Sequence, residues 1–156
     1  TLPASSAASD VYKRQDTTAF DDPNGNSYAG ITDTTSLSFT TGDAVDPTLT
    51  SSNPADDATA IAEDSNIVLN FTEAVDAESG NIVIYKTSDD SVVESIDVTS
   101  NQVTGSGTTQ ITINPSVTLE SSTEYYIKID TTAFDDPNGN SYAGITDTTS
   151  LSLIHI

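Results

Sequence analysis

Apolar residues alternate with polar ones in short runs along the last two thirds of the chain. Ile67, Leu69 and Phe71 fall at every second position, and Ile111 and Ile113 show the same spacing. Successive side chains of a β-strand point to opposite faces, so each run places its apolar residues together on one face. The pattern predicts half-buried strands that share one interior.

Turn-forming residues separate these runs. Residues 53–57 and 105–107 are rich in Asn, Asp, Pro and Gly, which end strands and favour turns. Short strands divided in this way are typical of a β-sandwich of about 100 residues. We therefore predict an all-β sandwich with strands at residues 48–52, 67–71, 82–84, 92–98, 102–104, 111–113 and 124–129, and a last strand that contains Leu151 and Leu153. Around the strand at residues 124–129, the residues predicted to face the interior are Leu119, Tyr125, Ile127 and Ile129.

One segment of the chain occurs twice. Residues 16–38 recur at residues 130–152 without a single change, and the spacing fits one unit of a domain array. We interpret residues 16–44 as the C-terminal tail of an upstream repeat plus a linker, and residues 45–152 as the next repeat. Recent duplication of a module explains the identity, and so does an error in assembling the sequence; the residues alone leave both open.

Both ends of the chain resemble a translated transposase sequencing adapter. Residues 5–15 read SSAASDVYKRQ and residues 151–156 read LSLIHI, which correspond to the two orientations of such an adapter. We therefore interpret residues 1–15 and 153–156 as adapter-derived and non-native. On this interpretation, His155 has no functional meaning.

The charge of the chain limits its partners. It carries 24 acidic residues against four Lys plus Arg, a formal net charge of −20, and it has no cysteine. Nucleic acids and anionic membranes are bound through clustered cations, so we exclude both as partners. No apolar stretch reaches about 18 residues, so we also expect no membrane insertion. Divalent cations are compatible with this charge, because Ca²⁺ prefers carboxylate and carbonyl oxygens.

An ordered set of short motifs carries a family resemblance. The motifs are PADD at residues 54–57, NIVLNFTEAV at 66–75, Leu119 followed by TEY at 123–125, DPNGN at 136–140 and SFTTG at 38–42. Together they resemble the bacterial Ig-like domain of the S-layer protein type over about residues 45–152. The resemblance implies an Ig-like β-sandwich of seven or eight mostly antiparallel strands. It also implies an extracellular or bacterial cell-surface location, since such domains occur in S-layer proteins, giant repeat adhesins and exported enzymes.

The acidic segment at residues 135–140 is a candidate Ca²⁺ loop. Asp135, Asp136, Asn138 and Asn140 offer several oxygen ligands around Gly139, which permits tight turning. The segment lacks the spacing and the terminal Glu of an EF-hand. The alternative is a turn in which the Asp and Asn side chains bind their own backbone. The sequence leaves both interpretations open.

A second candidate cation site is the joint that contains Asp43 and Asp46. Its carboxylates, together with an acidic loop of a neighbouring repeat, would stiffen the array by binding Ca²⁺ in the ordered arrangement. A flexible acidic linker is the alternative.

We expect no enzymatic activity. No Ser-His-Asp triad can be assembled, because His155 is the single histidine and lies in the adapter-like tail. Carboxylate pairs such as Glu73 and Asp76 follow from the abundance of acids and need a cleft to form a site. Tyr125 is expected to form a tyrosine corner, with a buried ring and a hydroxyl bonded to the backbone.

Two functions remain after these exclusions. The first is a structural spacer or extender repeat of a bacterial cell-surface or secreted adhesin-like protein, with neighbouring repeats of the same chain as partners and Ca²⁺ as a stiffening ion. The alternative is a carbohydrate- or protein-binding module appended to an exported protein. Exposed aromatic side chains favour binding, and Tyr28 and Tyr142 are the candidates for that role.

Overall fold

A computed structural model of the chain describes residues 10–12 and 19–155, with the backbone alone for residues 10–12 and 153–155. The interpretation of residues 1–15 and 153–156 as adapter-derived falls largely outside these residues and stays a prediction, as does the inward orientation of Leu153. The chain divides into two compact units, Thr1–Asp43 and Ala44–Ile156. The described residues contain no helix long and apolar enough to cross a membrane.

The first unit contains one small sheet. Strands β1 (Asp10–Tyr12) and β2 (Ser38–Thr40) pair antiparallel in the register Asp10 to Thr40. Between them, the described residues form turns and isolated bridges, and their side chains are mostly exposed. The first copy of the repeated segment therefore lies in a unit with little interior of its own.

The second unit is a sandwich of two sheets. Its strands are β3 (Leu49–Asn53), β4 (Ala58–Ile61), β5 (Ile67–Ala77), β6 (Asn81–Lys86), β7 (Ser91–Asp97), β8 (Val103–Thr104), β9 (Thr108–Ile113), β10 (Thr123–Ile129), β11 (Phe134–Asp135) and β12 (Ser152–His155). One 5-stranded sheet has the order β4-β12-β10-β6-β7, and the other has the order β11-β5-β9-β8 with β3 paired to β5. Strands β12 and β4 are parallel, and the other pairs are antiparallel.

This arrangement confirms the predicted all-β sandwich of mostly antiparallel strands. Two of its strands, β8 and β11, are only 2 residues long, and the remaining eight match the expected number. These two short strands extend a sheet that the longer strands already define.

The interior includes the residues that the alternating pattern placed there. Ile67, Leu69 and Phe71 of β5 are buried, and so are Ile111 and Ile113 of β9. The predicted inward residues of the later strands are buried too: Leu119, Tyr125, Ile127, Ile129 and Leu151. Each apolar face thus packs against the facing sheet, where removal from water stabilises the fold by about 25 cal/mol per Å².

Besides the short β11, which was not predicted, two strands differ from the prediction. Strand β5 continues through Thr72 and Glu73 to Ala77, beyond the alternating run, because β9 and β11 pair with its later residues. Strand β4 falls in a stretch with no predicted strand, and its residues are half-buried or exposed. It forms by parallel pairing with β12, a strand almost a hundred positions away, which no local pattern reveals.

Gly144 permits a close backbone contact beside β10. Its φ is +74°, and a Cβ at this position would lie 2.5 Å from the carbonyl oxygen of Ile129. Ile145, which follows Gly144, exchanges two backbone hydrogen bonds of 2.9 Å with Ile129. A side chain at position 144 therefore collides with the Ile129 carbonyl and weakens the attachment of the C-terminal segment to β10.

We expect Gly144→Ala to lower the free energy of unfolding by about 2 to 5 kcal/mol. The cost of a left-handed backbone at a residue with a Cβ adds to the cost of overpacking. Gly139→Ala is the matched control: its φ is +87°, but a Cβ there meets nothing within 4 Å. It should cost about 1 to 2 kcal/mol. Urea unfolding followed by circular dichroism measures both, and equal losses would contradict the role of the Ile129 contact.

Candidate functional site

Residues 135–140 form the acidic turn, which begins at the last residue of β11 and reverses the chain. The ring of Phe134 is buried and anchors its start, and Asp135 forms a bridge with Ser141 at its base. Inside the turn, the Asp136 N–H donates to the carbonyl of Asn140 at 2.9 Å, and the Gly139 N–H donates to the carbonyl of Asp136 at 3.0 Å. The turn is therefore closed by its own backbone.

Asp136 holds the turn together from within. Its carboxylate is buried, and Oδ1 accepts the backbone N–H groups of Asn138 and Asn140, both at 2.8 Å. Oδ2 accepts Nδ2 of Asn140 at 2.8 Å. Burial raises the pKa of this carboxyl, but the hydrogen bonds from Asn140 and Asn138 outweigh it, so the pKa lies below its ordinary value. The charged carboxylate is thus part of the turn itself.

The structure brings four of the predicted calcium ligands into one turn. Asp135 is half-buried and lies opposite Asp76 in the pairing of β11 with β5, while Asn138 is exposed and Asn140 half-buried. Asp46 is exposed at the start of the second unit, and Asp43 is the exposed last residue of the first. Calcium binding by these six residues stays a prediction.

The first copy of the turn has the same hydrogen bonds in other surroundings. Asp22 accepts the N–H groups of Asn24 at 2.9 Å and Asn26 at 2.8 Å, and Nδ2 of Asn26 at 2.8 Å. The preceding Phe20 is exposed, unlike Phe134. The turn therefore forms without a buried anchor, which favours the Asp and Asn turn interpretation for its local geometry.

Tyr125 forms the predicted tyrosine corner. Its ring is buried in β10, and its hydroxyl accepts the backbone N–H of Glu120 at 2.9 Å. The bond ties the strand to the segment that precedes it, so the prediction of a packing role is confirmed.

The family of the chain follows from comparison with known proteins. Residues 43–152 match the family model described as "Bacterial Ig-like domain". The chain belongs to this family. Bacterial Ig-like domains are typically non-catalytic structural modules, and this match confirms the resemblance found in the sequence.

Two solved structures are similar to the Ig-like domain. They are the crystal structures of the S-layer protein rSbsC(31-844) and of the N-terminal part of the bacterial S-layer protein SbsC, with TM-scores of 0.46 and 0.47 at 17% and 18% identity. Each match covers 71% of this chain, which spans only 14% and 24% of those chains. A search of curated proteins found no match.

The repeated segment contains a second turn that was not predicted from the sequence. Asp147 accepts the N–H groups of Thr149 at 2.8 Å and Ser150 at 2.7 Å, and the Ser150 hydroxyl at 2.6 Å. Hydrogen bonds from Ser150 and Thr149 hold the pKa of Asp147 well below its usual range. Asp33 in the first copy has the same pattern. The signal is an Asp followed by Thr and Ser, which bind it locally.

Glu94 connects β7 to the segment after β9. It accepts the Ser116 hydroxyl at 2.6 Å and Nε2 of Gln102 at 2.9 Å. Burial raises the pKa of Glu94, but the hydrogen bonds from Ser116, Gln102 and Val117 outweigh it and lower the pKa. No sequence signal points to this contact, because its partners lie far apart in the chain.

Tyr142 lies in the core of the Ig-like domain. Its ring packs edge-to-face with that of Phe71, with the centroids 5.1 Å apart and the planes at 84°. The hypothesis that it is an exposed aromatic for ligand binding is wrong, because the chain beyond the turn passes back over β5. Its identical counterpart Tyr28 is exposed. Burial, together with the charge of Asp147, raises the pKa of Tyr142 from 10.0 to about 12.

This pKa predicts a loss of stability in alkali. The unfolded tyrosine ionises above pH 10, whereas the folded one stays neutral up to about pH 12, so stability present below pH 10 falls between these values. The loss is on the order of 2 kcal/mol. Tyr142→Phe should reduce this dependence, leaving the part due to Tyr126, whose pKa is also raised by burial and by its hydrogen bond to Asp90. The exposed counterpart Tyr28→Phe should leave the dependence unchanged. Urea unfolding between pH 8 and pH 12 tests the pair, and parallel curves for wild type and Tyr142→Phe would contradict the prediction.

Proposed function

We propose that the Ig-like domain is a non-enzymatic structural spacer in a bacterial cell-surface or secreted adhesin-like protein. Consecutive repeats of the same chain are its neighbours and hold a distal domain away from the cell. Such a role requires a domain that bears tension between its two ends. The order and direction of its strands support this property.

The parallel pair of β4 and β12 carries the proposal. Position 153 lies opposite Ala58 and position 155 opposite Ile61. The pairing joins backbone groups, so it does not require the adapter-like side chains of residues 153–155. The chain runs in the same direction through both strands. Tension applied at the two ends of the domain therefore pulls β4 and β12 in opposite directions along a common axis. The hydrogen bonds between them are loaded together, in shear, instead of opening one at a time. This geometry resists extension.

Further contacts reinforce the pair. The Asp57 N–H donates to the carbonyl of Ser152 at 2.8 Å, and the Ser152 N–H donates to Oδ1 of Asp56, also at 2.8 Å. The Ser152 hydroxyl donates to Glu124 of the neighbouring β10 at 3.1 Å. The start and the end of the domain are therefore bonded directly.

The distribution of polar groups also supports a structural role. Among the described residues, the buried polar side chains are Asp136 and Ser152, and both are hydrogen-bonded inside the fold. The acidic residues otherwise lie half-buried or exposed. A strongly negative exterior keeps the protein soluble and repels nucleic acids and anionic membranes.

Force spectroscopy on the whole chain, held at its two ends, tests the spacer role. We expect Asp56→Ala to lower the unfolding force, because it removes a bond on the loaded path. Glu94→Ala is the control: it removes several hydrogen bonds outside that path and should lower equilibrium stability while leaving the force nearly unchanged. Forces that simply follow equilibrium stability in both variants would count against the proposal.

Calcium is the proposed stiffening ion. We expect the thermal midpoint to rise with Ca²⁺ at about millimolar concentration and to fall on chelation, as for other extracellular calcium modules. Asp135→Asn and Asp46→Asn should reduce the rise. Asp64→Asn removes the same charge from an exposed position elsewhere and should not. An equal effect of all three variants would indicate charge screening without a site.

A glycan array separates the spacer from the binding module. A spacer gives no saturable binding. Saturable binding that is lost in Tyr28→Ala would instead favour the binding module, because Tyr28 is an exposed aromatic beside the first acidic turn.

A further inference from the structure

Three stretches of the sequence carry no charge, and the fold brings them into one sheet. None of the 24 acidic and four basic residues of the chain falls within residues 47–55, 65–72 or 98–119. These stretches contain β3, β8, β9 and the first part of β5, which are neighbours in the order β3-β5-β9-β8. In a chain with a net charge of −20, these strands form a surface of unusual composition.

The side chains that point outward from these strands form two rows. Leu69 and Phe71 are buried in β5, so the alternate residues Val68 and Asn70 face away from the core. The register of the strand pairs gives one row of Val68, Thr112 and Thr104, and another of Ser51, Asn70 and Gln110. We call these six residues the neutral face. They are half-buried or exposed.

Hydrogen bonds order the second row of the neutral face. Nδ2 of Asn70 donates to Oγ of Ser51 at 3.0 Å, and Nε2 of Gln110 donates to Oδ1 of Asn70 at 2.9 Å. These side chains are therefore held in place before any partner binds, which lowers the entropy cost of association.

Charge returns at the borders of the neutral face and on the opposite sheet. Glu73 follows the uncharged part of β5, and Asp64 lines a cavity together with Val68 at the other end of the face. On the opposite sheet, Glu124 and Lys128 alternate with the buried residues of β10 and so point outward. The lack of charge is therefore specific to one of the two sheet faces.

We propose that the neutral face binds the neutral face of a second copy of this chain, with the two sheets packed face to face about a two-fold axis. Two chains of charge −20 repel each other at acidic surfaces and repel least where both surfaces are uncharged. Asn, Gln, Ser and Thr side chains each carry a donor and an acceptor, whereas carboxylates only accept. The same groups on two copies can therefore bond to each other, as a two-fold contact requires.

A second copy is favoured over a glycan by the shape and composition of the neutral face. Ligand sites are typically concave and lined by apolar and aromatic side chains. The six residues of the neutral face include no aromatic one, and the ring of Phe71 is buried on the inner side of β5. A sheet face of amides and hydroxyls matches another such face.

The size of the neutral face predicts weak association for each domain. Four strands about 4.8 Å apart, with about five residues each, cover on the order of 300 Å² per copy. Stable complexes bury about 800 Å² per partner, so one domain should associate only at high concentration. In the proposed spacer, consecutive repeats would add their contacts through a high effective concentration. That consequence rests on the spacer role, whereas the contact between two single chains does not.

Sedimentation equilibrium of the whole chain tests the contact, with a chelator present so that divalent cations cannot bridge carboxylates. Raising NaCl from about 0.1 M to about 1 M shortens the range of charge repulsion from about 10 Å to about 3 Å. At protein concentrations up to about 1 mM, we expect the average mass to stay near that of the monomer at low salt and to approach that of a dimer at high salt. Gln110→Glu should weaken this association at least about tenfold, because it places an unpaired carboxylate inside the contact.

Ser88→Glu is the matched control. It adds the same charge at an exposed position of the turn between β6 and β7, and it should leave the association unchanged. Thr104→Glu repeats the test at the opposite edge of the neutral face without removing the hydrogen bond from Gln110 to Asn70. It should act as Gln110→Glu does, and it decides the question if Gln110→Glu does not fold.

Three results would overturn the proposal. The first is a monomer at every concentration in 1 M salt, the upper end of the range of about 0.1 M to about 1 M. The second is equal association of wild type, Gln110→Glu and Thr104→Glu, which would indicate another surface, such as an exposed strand edge. The third is a monomeric chain that binds a neutral polysaccharide and loses this binding in Gln110→Glu, which would assign the neutral face to a glycan.

Discussion

The docking of the C-terminal segment across the two sheets is the interaction on which the rest of the structure depends. Phe134 and Tyr142 pack on Phe71 of one sheet, while β12 enters the other sheet between β4 and β10. Without this segment, β4 loses its partner and Phe71 loses its cover. The single contact surface therefore closes the core and also connects the beginning of the domain to its end.

The acidic residues affect the fold mainly through their hydrogen bonds. Asp136 and Asp147 accept backbone and side-chain donors of their own turns, and these bonds keep both carboxylates ionised by lowering their pKa. Glu94 does the same across two distant segments. The negative charge of the domain is thus compatible with a folded interior, because the carboxylates are bonded at turns and strand ends while the core remains apolar.

The same segment explains the proposed mechanical role. A strand that bears load between the start and end of a domain must be held by extensive packing, and β12 with its preceding turns has such packing. The packing that closes the core is therefore also the basis of the proposed resistance to extension.

The sequence by itself determined the fold class, most of the inward-facing residues and the local form of the turns. Alternation identified Ile67, Leu69 and Phe71 because a strand's two faces differ in every second residue. The hydrogen bonds around Asp22 and Asp136 recur in both copies because their donors lie within four positions. Only the tertiary structure decided the pairing of β4 with β12, the contacts of Glu94 and the burial of Tyr142. Tyr28 and Tyr142 show the reason directly: identical neighbours in the chain give identical turns, but burial depends on distant residues that only one of the two copies meets.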